Sequence, residues 1–296
     1  MMNSYLSQIL TAPNRLEVRD SGNQWLAAFT VGSHMVTLYG PQRTFKEQDV
    51  SVTHATWVRT LPTPFGEQLD LDWLEQALEA NQQQVPDILA IAMQYIKGSP
   101  TILDKSGLQI AGDANYGPEI DGKRQEGADF NDYLGIRWQY ETDELDKPEL
   151  EQFHCLDCSS FVRMVWGYRH NFLGSGYVDA ILLSLKIKPD SSTMPRRAWQ
   201  ICVSAPGMTI IPNRGVQVTN FSKLAIGDLV FFDANEDDGS AIDHIGMFMG
   251  LDATDRHRFI SSRKSINGPT MSDFKGKSVL EGTGLYAQSF HAVRRL

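Results

Sequence analysis

The sequence predicts an α+β fold in which a helix opening on a cysteine packs against an antiparallel sheet, with a small β-rich unit and a helical linker ahead of it. Three observations carry this. From Cys158 to Tyr168 the apolar residues Phe161, Val162, Val165 and Trp166 recur at the spacing of one buried helical face. Beyond it, residues 227–232 and 243–250 are short apolar runs closed by glycine or acidic turn residues, and residues 258–262 follow a polar turn, so the three read as neighbouring strands. Ahead of the cysteine, strand-like runs give way to two amphipathic helical stretches.

Taken in order, residues 16–18, 25–31, 34–39 and 52–58 are strand-like. They are separated by turn formers such as Asp20-Ser21-Gly22-Asn23, Gly32-Ser33 and Gly40-Pro41, which predicts a β-rich domain over 1–65. Residues 69–80 and 85–96 have helical periodicity, the second with Pro86 near its start, where a missing N–H is tolerated. They make 66–110 a helical linker expected to clamp the β unit to the domain spanning 111–296. Residues 97–135 are rich in turns and run straight into the cysteine helix; long irregular stretches of this kind are often functional, and this one is expected to line a substrate cleft. A second long stretch, 171–222, separates helix from sheet: 177–187 and 194–203 read as helical and 206–218 as extended. The acidic loop 233–238 lacks EF-hand spacing and reads as a solvated hairpin loop.

Composition sets the outer bounds. A chain of 296 residues has room for about two domains, and 42% hydrophobic residues can fill their cores. Three cysteines do not make a disulfide scaffold, and a formal net charge of −9 argues against nucleic acid as a partner. No apolar run has the length of a membrane span. The first residues carry neither a basic region nor a long apolar stretch, so no secretory signal is visible. The chain reads as cytoplasmic, with an extracellular or cell-wall location open to a mature form or another export route. Gly-rich phosphate loops and a G-x-S-x-G elbow are both missing, which leaves nucleotide and serine-hydrolase chemistry without support.

The chemistry-bearing residues sit in the blocks that define the fold. Asp157 is placed to cap the helix, so Cys158 falls in the first turn, where unpaired N–H groups and the helix dipole are expected to favour thiolate, the attacking species in acyl transfer. His244 opens the second strand and is the candidate base. Ser261, on the third strand, is the candidate to orient the imidazole; Arg263, two residues on and facing the same way, would oppose an imidazolium. A lone cysteine at a helix start is more often a small buried apolar residue, and a lone strand histidine or serine is more often structural. Cys155 and Cys158 form a C-x-x-C, but no second pair or spaced histidines complete a metal set, so no metal or cofactor is expected; Cys202, between Ile201 and Val203, reads as core.

With these blocks in place, residues from about 153 to 296 resemble the NlpC/P60 family of papain-like cysteine peptidases. Asp157-Cys158-Ser159-Ser160-Phe161-Val162 resembles the family's Asp-Cys-Ser-Gly-Phe-Val, with Ser160 in place of glycine. Leu224-Ala225-Ile226-Gly227-Asp228-Leu229-Val230-Phe231-Phe232 resembles its Leu-x-Pro-Gly-Asp-Leu-Val-Phe-Phe, with Ile226 in place of proline. His244-Ile245-Gly246-Met247-Phe248-Met249-Gly250 resembles its His-Val-Gly-Ile-Tyr-Leu-Gly, and residues 290–296 resemble its terminal strand. The family's third polar residue, most often histidine, falls on Ser261. The resemblance implies a papain-like catalytic domain and a bacterial cysteine peptidase or amidase. By the same resemblance, Cys158 is nucleophile, His244 base and Ser261 third residue, and the substrate is a peptide or peptidoglycan fragment cut at a γ-D-glutamyl–diamino acid bond. Two alternatives stay open. The absent signal favours acyl transfer, deamidation or amide formation on a cytoplasmic substrate, and Ser261 favours a non-catalytic binding module of the same fold.

Overall fold

The N-terminal strands pair with their sequence neighbours, as short connecting turns require. In the computed structural model, which describes residues 5–139, 145–169, 183, 191–235 and 241–296, five strands form an antiparallel sheet in sequence order. They are β1 (Leu6–Leu10), β2 (Arg15–Arg19), β3 (Trp25–Thr30), β4 (Met35–Glu47) and β5 (Val50–Thr60). The four runs expected from the sequence lie in β2 to β5. β1 escapes the pattern because it is an edge strand with Leu6 and Ile9 exposed, so no alternation marks it.

The two faces of this sheet serve two cores. Val18, Phe29, Leu38 and Trp57 meet Trp73, Leu74 and Ala77 of α1 (Leu71–Gln82), whose cap Asp70 accepts the Trp73 N–H. Met35, Phe45, Val52 and Val58 turn the other way, into the main core. The second helix, α2 (Ile88–Ala92), continues only as a 3-10 turn, Met93–Tyr95, and is shorter than its periodicity suggests because its cap, Asp87, follows Pro86. Asp87 accepts N–H groups from Ala90 and Val58 and pairs with Arg43 at 2.6 Å, which fixes α2 against β5.

Residues 97–135 contain two small hairpins, β6 (Ile102–Leu103) with β7 (Gln109–Ala111) and β8 (Glu119–Ile120) with β9 (Lys123–Arg124), followed by α3 (Phe130–Leu134). The sequence reading misses α3, although its signals are present: Asp129 and Asp132 form a capping box, and Gly135 ends the helix at φ 67°. A further pair, β10 (Trp138–Gln139) and β11 (Leu145–Asp146), leads to α4 (Cys158–Arg163), which continues as a π turn, Met164–Tyr168, so the two together fill the expected span. The helix expected at 177–187 lies, apart from Leu183, outside the described residues, as does half of the acidic loop, residues 236–238. The later helical stretch forms α5 (Ala198–Ser204).

Six antiparallel strands complete the C-terminal half: β12 (Met208–Ile211), β13 (Leu229–Phe232), β14 (His244–Leu251), β15 (His257–Arg263), β16 (Gly268–Thr270) and β17 (Phe290–Arg295), in the order β12-β17-β13-β14-β15-β16. A short helix, α6 (Leu285–Gln288), precedes β17. The fold is α+β. α4 packs on β14 and β15, where Ile245, Met247, Met249 and Ile260 meet Phe161, Val162, Val165 and Trp166, while Phe232, Phe248, Phe259 and Phe290 fill the opposite face. No described helix is long and apolar enough to cross a membrane.

The N-terminal sheet joins this core directly rather than through the helices alone. His54 Nε2 lies 3.1 Å from Met249 O, Met35 N–H donates to Leu296 O at 2.6 Å, and the Glu47 carboxylate accepts from Thr270 Oγ1 and Met271 N. Gly227, at φ 97°, has no room for a side chain: a Cβ would sit 2.9 Å from both Met35 Sδ and Val58 Cγ1. Its neighbour Asp228 takes both ends of the Arg295 fork, at 2.7 and 2.8 Å.

Candidate active site

Asp157 has extended backbone and accepts the Ser160 N–H at 2.9 Å, so Cys158 is the first residue of α4. The approach to the helix is held by β15, whose Ser262 hydroxyl donates to Leu156 O at 2.5 Å. Cys158 is 6% exposed and lies in a cleft of about 580 Å³ whose walls include Tyr116, Glu126, Arg196, Trp199 and Asp243. Part of that wall, Tyr116, Glu126 and Gly127, comes from the turn-rich stretch.

His244 opens β14 opposite Phe232 of β13. The Cys158 sulfur touches the backbone on both sides of it, with the thiol 3.8 Å from Asp243 O and the Ile245 N–H directed at the sulfur. The imidazole lies against the rings of Phe232 and Tyr286, with centroids at 5.7 and 5.1 Å, and its Nε2 is 3.1 Å from Ser261 Oγ. That contact leaves Nδ1 as the nitrogen able to take a proton from a thiol. Gly246 permits the close approach of the two strands, because a Cβ there would lie 2.8 Å from Ile260 O and 3.2 Å from Ser261 Cβ. The fold thus brings Cys158 to the backbone flanking His244, and Ser261 to its ring. The thiol itself bonds to the Asp243 carbonyl and not to the imidazole.

Electrostatics correct one expectation. Burial pushes the Cys158 thiol up, Asp157 and Glu126 add to the effect, and the Ile245 N–H and Arg196 only partly offset it. The helix start therefore does not by itself yield a thiolate: the residue that caps the helix also puts a carboxylate near the sulfur. His244 is held down to about 3, first by burial and then by the Arg263 cation, against the pull of Asp157. The resting pair is neutral thiol and neutral imidazole. Arg263 acts in the expected direction; it is buried, donates to Gly276 O and Ser272 O, and lies 5.3 Å from the Tyr286 ring.

Several residues around the sulfur are missed by sequence reasoning. The Tyr116 hydroxyl donates to Glu126 at 3.0 Å, and burial with the nearby Cys158 and Asp157 keeps the phenol protonated. Its local signal is the turn at Gly117, where a Cβ would lie 2.1 Å from Gln125 O. Tyr286 and Arg196 reach the site from distant segments and carry no local signal. Cys155 donates to Phe153 O at 3.7 Å and Cys202 lies in α5; burial pushes each up to about 11, and all three cysteines are free. Among the described residues no group of histidine, cysteine or carboxylate side chains is arranged to hold a metal ion. No protein-family model matches the chain, and no curated protein matches it.

Proposed function

We propose that residues 111–296 form a papain-like domain of NlpC/P60 type and that the protein is a cysteine-dependent amide hydrolase acting on peptidoglycan stem peptides at the γ-D-glutamyl–diamino acid bond. The observation that carries this reading is the placement of Cys158, first residue of a helix, in a cleft and against the backbone that flanks His244, whose Nε2 meets Ser261. The sequence blocks support the family, and the family supplies the substrate.

In this mechanism the neutral pair is the resting state. As substrate enters, the proton passes from sulfur to imidazole and the thiolate attacks the carbonyl carbon. The oxyanion is met by the Cys158 N–H, which has no intrahelical acceptor. The imidazolium protonates the departing amine as the C–N bond breaks. Water, deprotonated by His244, then cleaves the thioester and frees the sulfur. Ser261 holds the ring without adding charge, so the imidazolium is short-lived.

The test is product analysis after incubation with a defined tripeptide, L-alanyl-γ-D-glutamyl-diaminopimelate. Release of the diamino acid by the wild-type protein and none by Cys158→Ala supports the reading; an intact tripeptide beside cleavage of an ordinary α-linked peptide refutes the substrate. A binding module of the same fold is favoured by one observation, the thiol bonded to Asp243 O rather than to the ring. It would bind the tripeptide without turnover, and equally well as Cys158→Ala.

A further inference from the structure

Arg196 precedes α5, far along the chain from the cysteine, yet its guanidinium is spent on the cysteine's surroundings. Nη1 donates to Ser159 Oγ at 2.8 Å and to Asp157 Oδ1 at 3.3 Å. Nη2 donates to Asp157 Oδ2 at 2.9 Å, Gly127 O at 2.7 Å and Ala128 O at 3.2 Å, and Nε lies 3.3 Å from Asp129 Oδ2. One side chain therefore grips the cap of α4, the residue after the nucleophile and the loop that walls the cleft. Asp129 also pairs with Arg163 of α4 at 3.1 Å, which anchors the same loop to the helix from behind.

The arrangement answers a problem set by the cap. Asp157 must be ionised to accept the Ser160 N–H and the Ser159 hydroxyl well, but an ionised carboxylate next to the sulfur opposes a second negative charge there. A planar fork bound to both carboxylate oxygens neutralises it without disturbing the cap. We propose that Arg196 is a positioning residue for the reacting thiol, holding Asp157 and the 127–128 loop in place and cancelling the cap's charge so that Cys158 can ionise during the reaction. The inference rests on Cys158 being the nucleophile. The electrostatic balance agrees with it in sign, Asp157 disfavouring and Arg196 favouring the thiolate.

The experiment is alkylation of Cys158 by iodoacetamide at about pH 8, followed by mass spectrometry, in protein carrying Cys155→Ser so that the peptide read contains one thiol. Arg196→Met is expected to slow alkylation about tenfold, the effect of removing one paired charge near an ionising group, and Arg196→Lys to restore most of the rate. A merely structural tie has the opposite sign, because a loosened cap exposes the buried sulfur and speeds alkylation; faster or unchanged alkylation in Arg196→Met overturns the proposal. Should that variant not fold, the double variant Arg196→Met/Asp157→Asn leaves no buried ion unpaired. Its alkylation is expected within about threefold of wild type, and an acceleration of about tenfold overturns the proposal. Because the resting thiol is buried and neutral, wild-type alkylation is expected to be slow, and the variants are read as rates relative to it. A rate indifferent to Arg196 overturns this role alone, whereas tripeptide turnover that persists in Cys158→Ala overturns the proposed function and this role with it.

Discussion

Under the proposed function, Cys158, His244 and Ser261 divide the work of the site unequally, and substitutions should rank accordingly. Cys158→Ala is expected to abolish turnover, while Cys155→Ala and Cys202→Ala retain most of it, because the Cys155 thiol bonds to Phe153 O, Cys202 is buried in α5, and neither lines the cleft. Ser261→Ala removes one neutral hydrogen bond to His244 and should lower kcat about tenfold, about 1.4 kcal/mol, far less than His244→Ala. Steady-state kinetics on the tripeptide checks the ranking. Stability against pH offers a second reading of the same residue. His244 is held down to about 3, so between there and its ordinary value of 6.5 the unfolded chain binds a proton the native one does not, and stability rises with pH. Asp132 has the opposite sign: burial and the adjacent Glu149 carboxyl push it up to about 7, so its contribution is lost as pH rises from 3.8 toward that value. His244→Gln should remove the rising component, making stability fall with pH relative to wild type between about 4 and 6.5 by at most roughly 1.4 kcal/mol per unit, measured by urea unfolding. The three candidate residues were legible because each sits in a short block of local pattern. Tyr286 and Arg196 were not, because tertiary contacts place them; for Tyr116 only the turn at Gly117 was readable, since its N–H is fixed by the distant Asn267 Oδ1. The thiolate expectation failed because burial, which opposes charge, is invisible along the chain.

At the scale of elements, the site depends on how closely β14 and β15 lie. Gly246→Ala would place a methyl group 2.9 Å from the Phe259 ring and against Ile260 O, in a sheet with no free space to accept it. Overpacking of this kind costs typically 1–3 kcal/mol, and here it also moves Ser261 from His244. The variant should unfold at lower urea and lose at least as much kcat as Ser261→Ala; wild-type values for both would show that the strands yield without consequence. β13, β14 and β15 were readable as apolar runs bounded by glycine and acidic turns, and α4 as a spaced apolar face. α3 was passed over in a stretch dominated by glycine and aspartate, although its Asp129 and Asp132 box and Gly135 were in plain sight. β1 offered too little buried pattern to be read.

At the scale of the whole molecule, the N-terminal sheet is built into the main core. Met35, Phe45, Val52 and Val58 share one apolar cluster with Leu229, Met247 and Trp166, and Glu47 supplies the acceptor for Thr270 and Met271. A chain cut to residues 66–296 would expose that face and take the Glu47 acceptor from those donors, so it should fail to show a cooperative unfolding transition, while the full chain unfolds in one; circular dichroism against urea decides. The β content of this region was legible from alternation and turns, but its shared burial was not, because nothing local in β4 or β5 tells which partner covers the second face.

Under the proposed function, Cys158 forms a covalent acyl intermediate. Rapid acid quench of the wild-type protein with the γ-D-glutamyl tripeptide, followed by peptide mass analysis, tests it most directly. The expected species is a thioester carrying the alanyl-γ-D-glutamyl group on Cys158, absent in Cys158→Ala, which also shows no turnover. Acylation on Cys155, or turnover that persists in Cys158→Ala, would contradict it.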